Sequence, residues 1–117
     1  MATLSKIKLS SSTNGKAIKV AATATAGTAL HTAVTGTTDY DEVWLYAVNS
    51  SASSVKLTIE FGGVTAPDNL IEFTVPAEDG LYLISPGLLL NNAQTVAAFA
   101  GTGDVIMIYG WANRITA

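Results

Sequence analysis

The chain has 117 residues, the size of one domain that buries a single hydrophobic core. Its net charge is −3 and only 13% of its residues are charged, well below the roughly 25% of an ordinary soluble domain. The few, scattered basic residues argue against nucleic-acid binding, the lack of cysteine excludes disulfides and thiolate metal sites, and no apolar run is long enough to span a membrane.

Residues 1–38 are rich in Ser, Thr, Ala and Gly and carry few large apolar side chains. We interpret them as an extended N-terminal arm with one or two edge strands, because small side chains bury little apolar area. Four of the six basic residues lie here, at Lys6, Lys8, Lys16 and Lys19. They form a weak basic patch, suited either to an acidic partner surface or to solubility.

Residues 39–117 are predicted to form the core of a β-sandwich around a central β-hairpin from Asp41 to Gly63. From Val55 to Phe61, apolar and polar side chains alternate, which predicts a strand whose polar side chains, including Glu60, face water. The preceding arm, residues 43–48, is apolar on both faces. Such a strand lies between two packed layers or shows its second face to another molecule.

Further strands are predicted downstream, and no segment has a helical stripe of adequate length. The strands are expected at residues 70–75, 81–90 with a bend at Pro86-Gly87, 94–100 and 105–113. Turn signals recur about every 8–12 residues, as in antiparallel sandwiches and barrels. We therefore predict one all-β domain, an antiparallel β-sandwich of jelly-roll or Greek-key type.

Residues that carry chemistry do not form a catalytic set in the sequence. His31 has no second histidine near it, and a single imidazole cannot build a metal site. Asp39, Asp41 and Glu42 resemble the start of a calcium loop but lack its other ligands, so we interpret them as a solvated turn. Enzymatic activity, a metal and a cofactor are not expected.

The aromatic residues are more informative than the titratable ones. Trp44, Tyr46, Tyr109 and Trp111 lie on strands that are apolar on both faces. Aromatic side chains are enriched at protein interfaces, but they also fill cores and form sugar-binding platforms, and the sequence leaves these alternatives open. With the arm and the C-terminus, they give the following candidate contact residues: Leu4, Ile7, Leu9, Trp44, Tyr46, Tyr109, Trp111 and Arg114.

Three strings resemble the small decoration (cement) proteins of tailed bacteriophage capsids: Leu57–Gly63, Pro86–Leu90 with Thr95–Ala100 after it, and Ile108–Ile115. The resemblance implies a jelly-roll-like sandwich that binds the outside of an assembled capsid and bridges its subunits. The implied partners are the major capsid protein and other copies of the chain, as a dimer or trimer. The implied location is the capsid exterior of the virion, after synthesis in the host cytoplasm. No individual contact residue follows from the resemblance.

Two other functions fit the same sequence. One is a tail-fibre or host-receptor-binding β-module, which is expected to trimerise and to expose binding loops. The other is a carbohydrate-binding module, which needs exposed, co-planar aromatic rings. No nucleic acid or membrane partner is expected in any of the three cases.

Overall fold

A computed structural model describes residues 2–117, and Met1, the first residue of the predicted arm, lies outside them. The described residues form nine β-strands and contain no helix. The strands are β1 (Thr3–Lys8), β2 (Ile18–Lys19), β3 (Thr28–Thr32), β4 (Tyr40–Asn49), β5 (Val55–Phe61), β6 (Leu70–Val75), β7 (Tyr82–Leu90), β8 (Thr95–Ala100) and β9 (Ile106–Thr116). Across residues 2–117, no helix is long and apolar enough to cross a membrane.

The strands pair into two antiparallel sheets. The five-stranded sheet has the order β1-β9-β4-β7, with the short β2 also paired to β9. The four-stranded sheet has the order β3-β8-β5-β6. The prediction of an all-β, sandwich-like chain is confirmed.

Both sheets contribute to one hydrophobic core. The five-stranded sheet supplies Leu45, Ile106 and Ile108, and the four-stranded sheet supplies Leu57 and Ile59, all of them fully buried. These residues occupy alternate positions of their strands, so each strand turns one face to the core. Successive side chains of an extended strand point to opposite sides, and this geometry produces the arrangement.

The central β-hairpin predicted from Asp41 to Gly63 is wrong, although both of its strands exist. β4 pairs with β7 and β9, whereas β5 pairs with β6 and β8, so the connection crosses from one sheet to the other. Buried Asn49 shapes this crossing, because its Nδ2 donates to the carbonyl oxygens of Ser53 (2.8 Å) and Val75 (3.0 Å). The loop between β8 and β9 also joins the two sheets.

The N-terminal third belongs to both sheets. β1 and β2 pair with β9, and β3 pairs with β8. Its sparse large apolar side chains Leu9, Ile18, Val20 and Leu30 are all buried in the common core. An extended arm over residues 1–38 is therefore not confirmed, because the described residues of this segment pack against the rest of the chain.

Candidate functional site

The four aromatic residues predicted as contacts meet on the outer face of the five-stranded sheet. Along β4, the odd-numbered residues from 41 to 49 are buried and the even-numbered ones from 40 to 48 point outward. The register of β4 with β9 places Trp44 opposite Trp111 and Tyr46 opposite Tyr109. Residues that lie directly opposite each other in an antiparallel pair project to the same side. All four rings therefore belong to one surface.

Three of these rings stack and form an aromatic cluster, which we define as Trp44, Tyr46 and Trp111. The centroid of Trp111 lies 5.7 Å from that of Trp44, with 12° between the ring planes, and 5.8 Å from that of Tyr46. Lys6 Nζ lies 4.5 Å from the centroid of the Trp111 ring. Each aromatic pair is worth about 0.5–1.5 kcal/mol beyond its buried area, so the cluster is a rigid feature of the face.

Two glycines make room for Trp44. A Cβ atom on Gly110 would lie 2.0 Å from the Trp44 carbonyl oxygen, so only glycine fits at that position. Gly87 has φ +75°, and a Cβ atom there would lie 2.9 Å from Cε2 of the Trp44 indole. The strand β7 shifts register beside Trp44, between Val43 and Trp44 of β4. The predicted bend at Pro86-Gly87 is thus a local irregularity within one strand, and it leaves space for the indole of Trp44.

The tryptophan N–H groups have no partner in this arrangement. Nε1 of Trp44 and Nε1 of Trp111 are both buried and find no hydrogen-bond acceptor among residues 2–117. A buried donor without an acceptor costs about 1–3 kcal/mol.

Large apolar side chains are exposed mainly on this sheet. Eight are exposed in the described chain, and six of these lie on β1, β4, β7 or β9, whereas none lies on a strand of the four-stranded sheet. The six are Leu4 (64%), Tyr40 (41%), Leu83 (49%), Leu88 (40%), Leu89 (55%) and Tyr109 (42%). Five of the six belong to the outer face, since Leu88 lies opposite the inward-facing Val43. Such a concentration marks an interaction surface, whereas scattered exposed leucines need no explanation.

The outer face of the four-stranded sheet is polar. Lys56 and Glu72 form an exposed ion pair across β5 and β6, with Nζ 3.2 Å from Oε1. Glu60 is only 1% exposed, because Thr25 Oγ1 donates to its Oε2 (2.5 Å) and the Gly27 N–H donates to its Oε1 (2.7 Å). The prediction that the polar side chains of β5 face water is wrong for Glu60, which a loop from the N-terminal third covers, and for Thr58, which is 3% exposed.

The remaining candidate contacts fall into different environments. Leu4 is exposed on β1 and pairs with Ile115 on the outer face of the five-stranded sheet. Ile7 is half-buried and pairs with the inward-facing Ala112. Leu9 is 1% exposed and belongs to the core, so its side chain is not part of the surface.

Arg114, the last candidate contact, is held by a buried carboxylate. Asp41 is fully buried, and it accepts from Arg114 Nε (2.8 Å) and Arg114 Nη2 (2.9 Å). Burial by itself raises the pKa of Asp41, but the hydrogen bonds from Arg114 and His31 and the positive charge of Arg114 outweigh it, so the pKa is lowered. The prediction that Asp41 belongs to a solvated turn is wrong, because the residue begins a buried face of β4.

His31 and Ser10 extend this buried network. The Ser10 N–H donates to His31 Nδ1 (3.0 Å), which places the ring proton on Nε2, 2.8 Å from Asp41 Oδ2. Ser10 Oγ lies 2.9 Å from His31 Nδ1, so a serine, a histidine and an aspartate stand in the order of a hydrolytic triad. However, His31 is 2% exposed, Arg114 occupies both carboxylate oxygens, and the Thr32 N–H donates to the Ser10 hydroxyl. We assign the network a structural role.

No protein-family model, curated protein or solved structure matches the chain. The apolar outer face of the five-stranded sheet is therefore the feature that points to a function, since the buried network holds the fold together. Within residues 2–117, no group of three or more His, Asp and Glu side chains is placed to hold a metal ion.

The sequence did not reveal the partners in the buried network. Ser10, His31, Asp41 and Arg114 lie up to 104 positions apart in the chain, and each looks like an isolated polar residue. One signal was present: Asp41 precedes Val43 and Leu45 at the same two-residue spacing, which places its side chain on the buried face.

Proposed function

We propose that the chain is a structural virion protein that binds the outer surface of an assembled phage capsid and bridges adjacent capsid subunits. The observation that carries this proposal is the apolar outer face of the five-stranded sheet, opposed by a polar outer face on the other sheet. A domain with one apolar face is suited to binding the surface of another protein. The resemblance of three strings to capsid decoration proteins supports the same assignment.

We also propose that the two sheets form a jelly roll. With the two-residue β2 set aside, the eight other strands pair in a nested order: β1 with β9, β3 with β8, β4 with β7 and β5 with β6. Nested pairing of this kind results when one long antiparallel hairpin folds over on itself into two sheets. This supports the jelly-roll form of sandwich, which is common among viral shell proteins.

Attachment of this kind gains its strength from repetition. Each copy is proposed to touch more than one capsid subunit, and each contact needs only modest affinity because the two are linked through one rigid domain. Binding to the assembled shell in preference to free subunits stabilises the shell by mass action. The candidate contacts Leu4, Trp44, Tyr46, Tyr109 and Trp111 lie on the proposed attachment face.

The geometry of the aromatic cluster favours this function over a carbohydrate-binding module. A sugar platform presents ring faces side by side to the solvent, so that they pack on the sugar rings. Here the faces of Trp44, Trp111 and Tyr46 are stacked on one another. The Trp111 ring is therefore occupied by its two aromatic neighbours and by Lys6, which fits contact with a protein better than stacking on sugar rings.

Co-sedimentation tests the proposal. Capsids are assembled from the major capsid protein encoded in the same genome, mixed with the purified chain and pelleted. We expect the chain to pellet in a fixed ratio to capsid subunits and to leave unassembled capsid protein unbound. Absence from the capsid pellet, together with binding to a glycan array or to host cells, would assign the chain to one of the two other functions.

A further inference from the structure

We propose that the outer face of the five-stranded sheet docks on a protein surface whose apolar centre is bordered by carboxylates, and that these carboxylates meet a lysine edge formed by Lys6, Lys8 and Lys19. This inference rests on the proposed function and names the chemistry of the partner at that same surface. It implies one orientation of the sheet on the shell.

The lysine edge follows from the strand register. Lys6 and Lys8 lie on β1 and Lys19 lies on β2, and all three side chains are exposed. Lys8 is paired with Trp111 and Lys19 with Met107, both outward-facing residues of β9. The three lysines therefore share the face of the aromatic cluster.

The charge of this face opposes that of the whole chain. Among the outward-facing residues of β1, β2, β4, β7 and β9, Glu42 is the one acidic side chain, and it accepts a hydrogen bond from Asn113 Nδ2 at 3.2 Å. Three lysines against one glutamate make the face basic, while the chain carries a net charge of −3. A basic face on an acidic protein indicates a partner surface with negative charge.

The charges are arranged in a direction across the sheet. Lys6 lies against the Trp111 ring, so the basic edge is continuous with the aromatic cluster. On the opposite side, β7 carries no charged residue and exposes Leu83 and Leu89. The face thus runs from basic through aromatic to aliphatic. Its complement has carboxylates on one side and apolar side chains elsewhere.

This distribution argues against two other occupants. A second copy of the chain, related by a two-fold axis, would offer Glu42 as the one carboxylate of its matching face, too few to pair with three lysines. An anionic lipid surface presents negative charge evenly, whereas the lysines lie along one edge only. An acidic and apolar protein surface fits both the sign and the position of the charges.

Matched substitutions test the inference in the capsid-binding assay. Lys8→Glu reverses a charge on the lysine edge, and Lys16→Glu makes the same change in the exposed turn between β1 and β2, outside the strands. Leu89→Ser removes an exposed apolar side chain from the face (55% exposed), and Val64→Ser does so in a loop outside both sheets (54% exposed). If the unfolding midpoint of Lys8→Glu differs from that of the wild-type chain, Lys19→Glu takes its place. Leu83→Ser takes the place of Leu89→Ser in the same way.

We expect the Kd for capsids to rise about tenfold in Lys8→Glu and in Leu89→Ser, and to stay within about twofold of the wild-type value in the two controls. Added salt should weaken capsid binding by the wild-type chain more than binding by Lys8→Glu. Salt screens the attraction between Lys8 and the partner's carboxylates, and the variant has already lost that attraction.

Other results would overturn the inference in distinguishable ways. If the wild-type chain binds capsids and the face variants bind as well as their controls, the docking face is wrong while the proposed function stands. If the wild-type chain does not bind capsids, both are rejected. Flotation of the wild-type chain with phosphatidylglycerol vesicles, abolished by Lys8→Glu, would assign the face to lipid. A wild-type dimer broken by Leu89→Ser would assign it to a second copy.

Discussion

Arg114 donates two hydrogen bonds to Asp41, from Nε to Oδ1 at 2.8 Å and from Nη2 to Oδ2 at 2.9 Å, although 73 positions separate the two residues. The pair joins neighbouring strands, because Asp41 lies directly opposite Arg114 in the register of β4 and β9. The same carboxylate accepts from His31 and from the Val34 N–H (3.2 Å). Asp41 thus connects both sheets and the N-terminal third.

Replacing Asp41 with asparagine should destabilise the fold strongly. The change leaves the Arg114 charge half-buried without its counter-charge and turns one of the two acceptor oxygens into an NH2 donor that faces other donors. Breaking one partner of a buried ion pair costs about 3–5 kcal/mol, and the 32% exposure of the Arg114 side chain favours the lower end. Urea unfolding monitored by tryptophan fluorescence measures the free energy of unfolding.

Asp68→Asn provides the control for this substitution. Asp68 is exposed in the loop between β5 and β6, so the same chemical change should alter the free energy of unfolding by less than about 0.5 kcal/mol. Equal effects of the two substitutions would show that Asp41 contributes no more than a surface carboxylate.

The lowered pKa of Asp41 predicts a specific loss of stability in acid. Burial raises this pKa, but the hydrogen bonds from Arg114 and His31 and the positive charge of Arg114 together bring it below the usual aspartate value of 3.8. The folded state therefore favours the ionised form. Its contribution to stability is complete above pH 3.8 and is lost as the pH falls through the lower folded-state pKa.

The measurement compares the wild-type chain with Asp41→Asn between pH 7 and pH 2. The difference in their free energies of unfolding should be constant from pH 7 to about pH 5 and should shrink below about pH 4. A difference that does not change with pH would mean that the ionisation of Asp41 is not coupled to folding.

The strands could be predicted from the sequence, but the way they pair could not. Alternation from Val55 to Phe61 is a local signal, and it gave a strand that the structure contains. The partner of a strand depends on residues far away, and a short polar loop such as 50–54 fits both a hairpin and a crossing between sheets. The feature that distinguishes a hairpin from a crossing is buried Asn49, which is hydrogen-bonded to the carbonyl oxygen of Val75 in β6. That partner is 26 positions away in the sequence.

The same reasoning explains which parts of the site were found. Trp44, Tyr46, Tyr109 and Trp111 were recognised because an aromatic residue on a strand with two apolar faces is visible in the local pattern. Glu60 is predicted to be solvent-exposed because apolar and polar residues alternate along its strand. Nothing near it in the sequence shows that Thr25 and Gly27 cover it. Burial by a distant loop overrides the local period.

Gly87 should be needed for the seating of Trp44 on the outer face. Alanine at this position meets two penalties, the left-handed backbone at φ +75° and a Cβ atom 2.9 Å from the indole. The first costs roughly 1–2 kcal/mol and the second roughly 1–3 kcal/mol. The indole must also move, so the fluorescence maximum of the folded chain should shift.

Gly36→Ala separates the two penalties. Gly36 has a nearly identical φ of +79°, and a Cβ atom there meets nothing within 4 Å. It should therefore lose only the backbone part, roughly 1–2 kcal/mol, and keep the wild-type fluorescence maximum. The extra loss of unfolding free energy in Gly87→Ala measures the clash with Trp44. If both variants lose the same amount and neither changes the emission of the folded state, contact between β7 and the indole does not hold Trp44 in place, and the aromatic cluster owes its position to β9 alone.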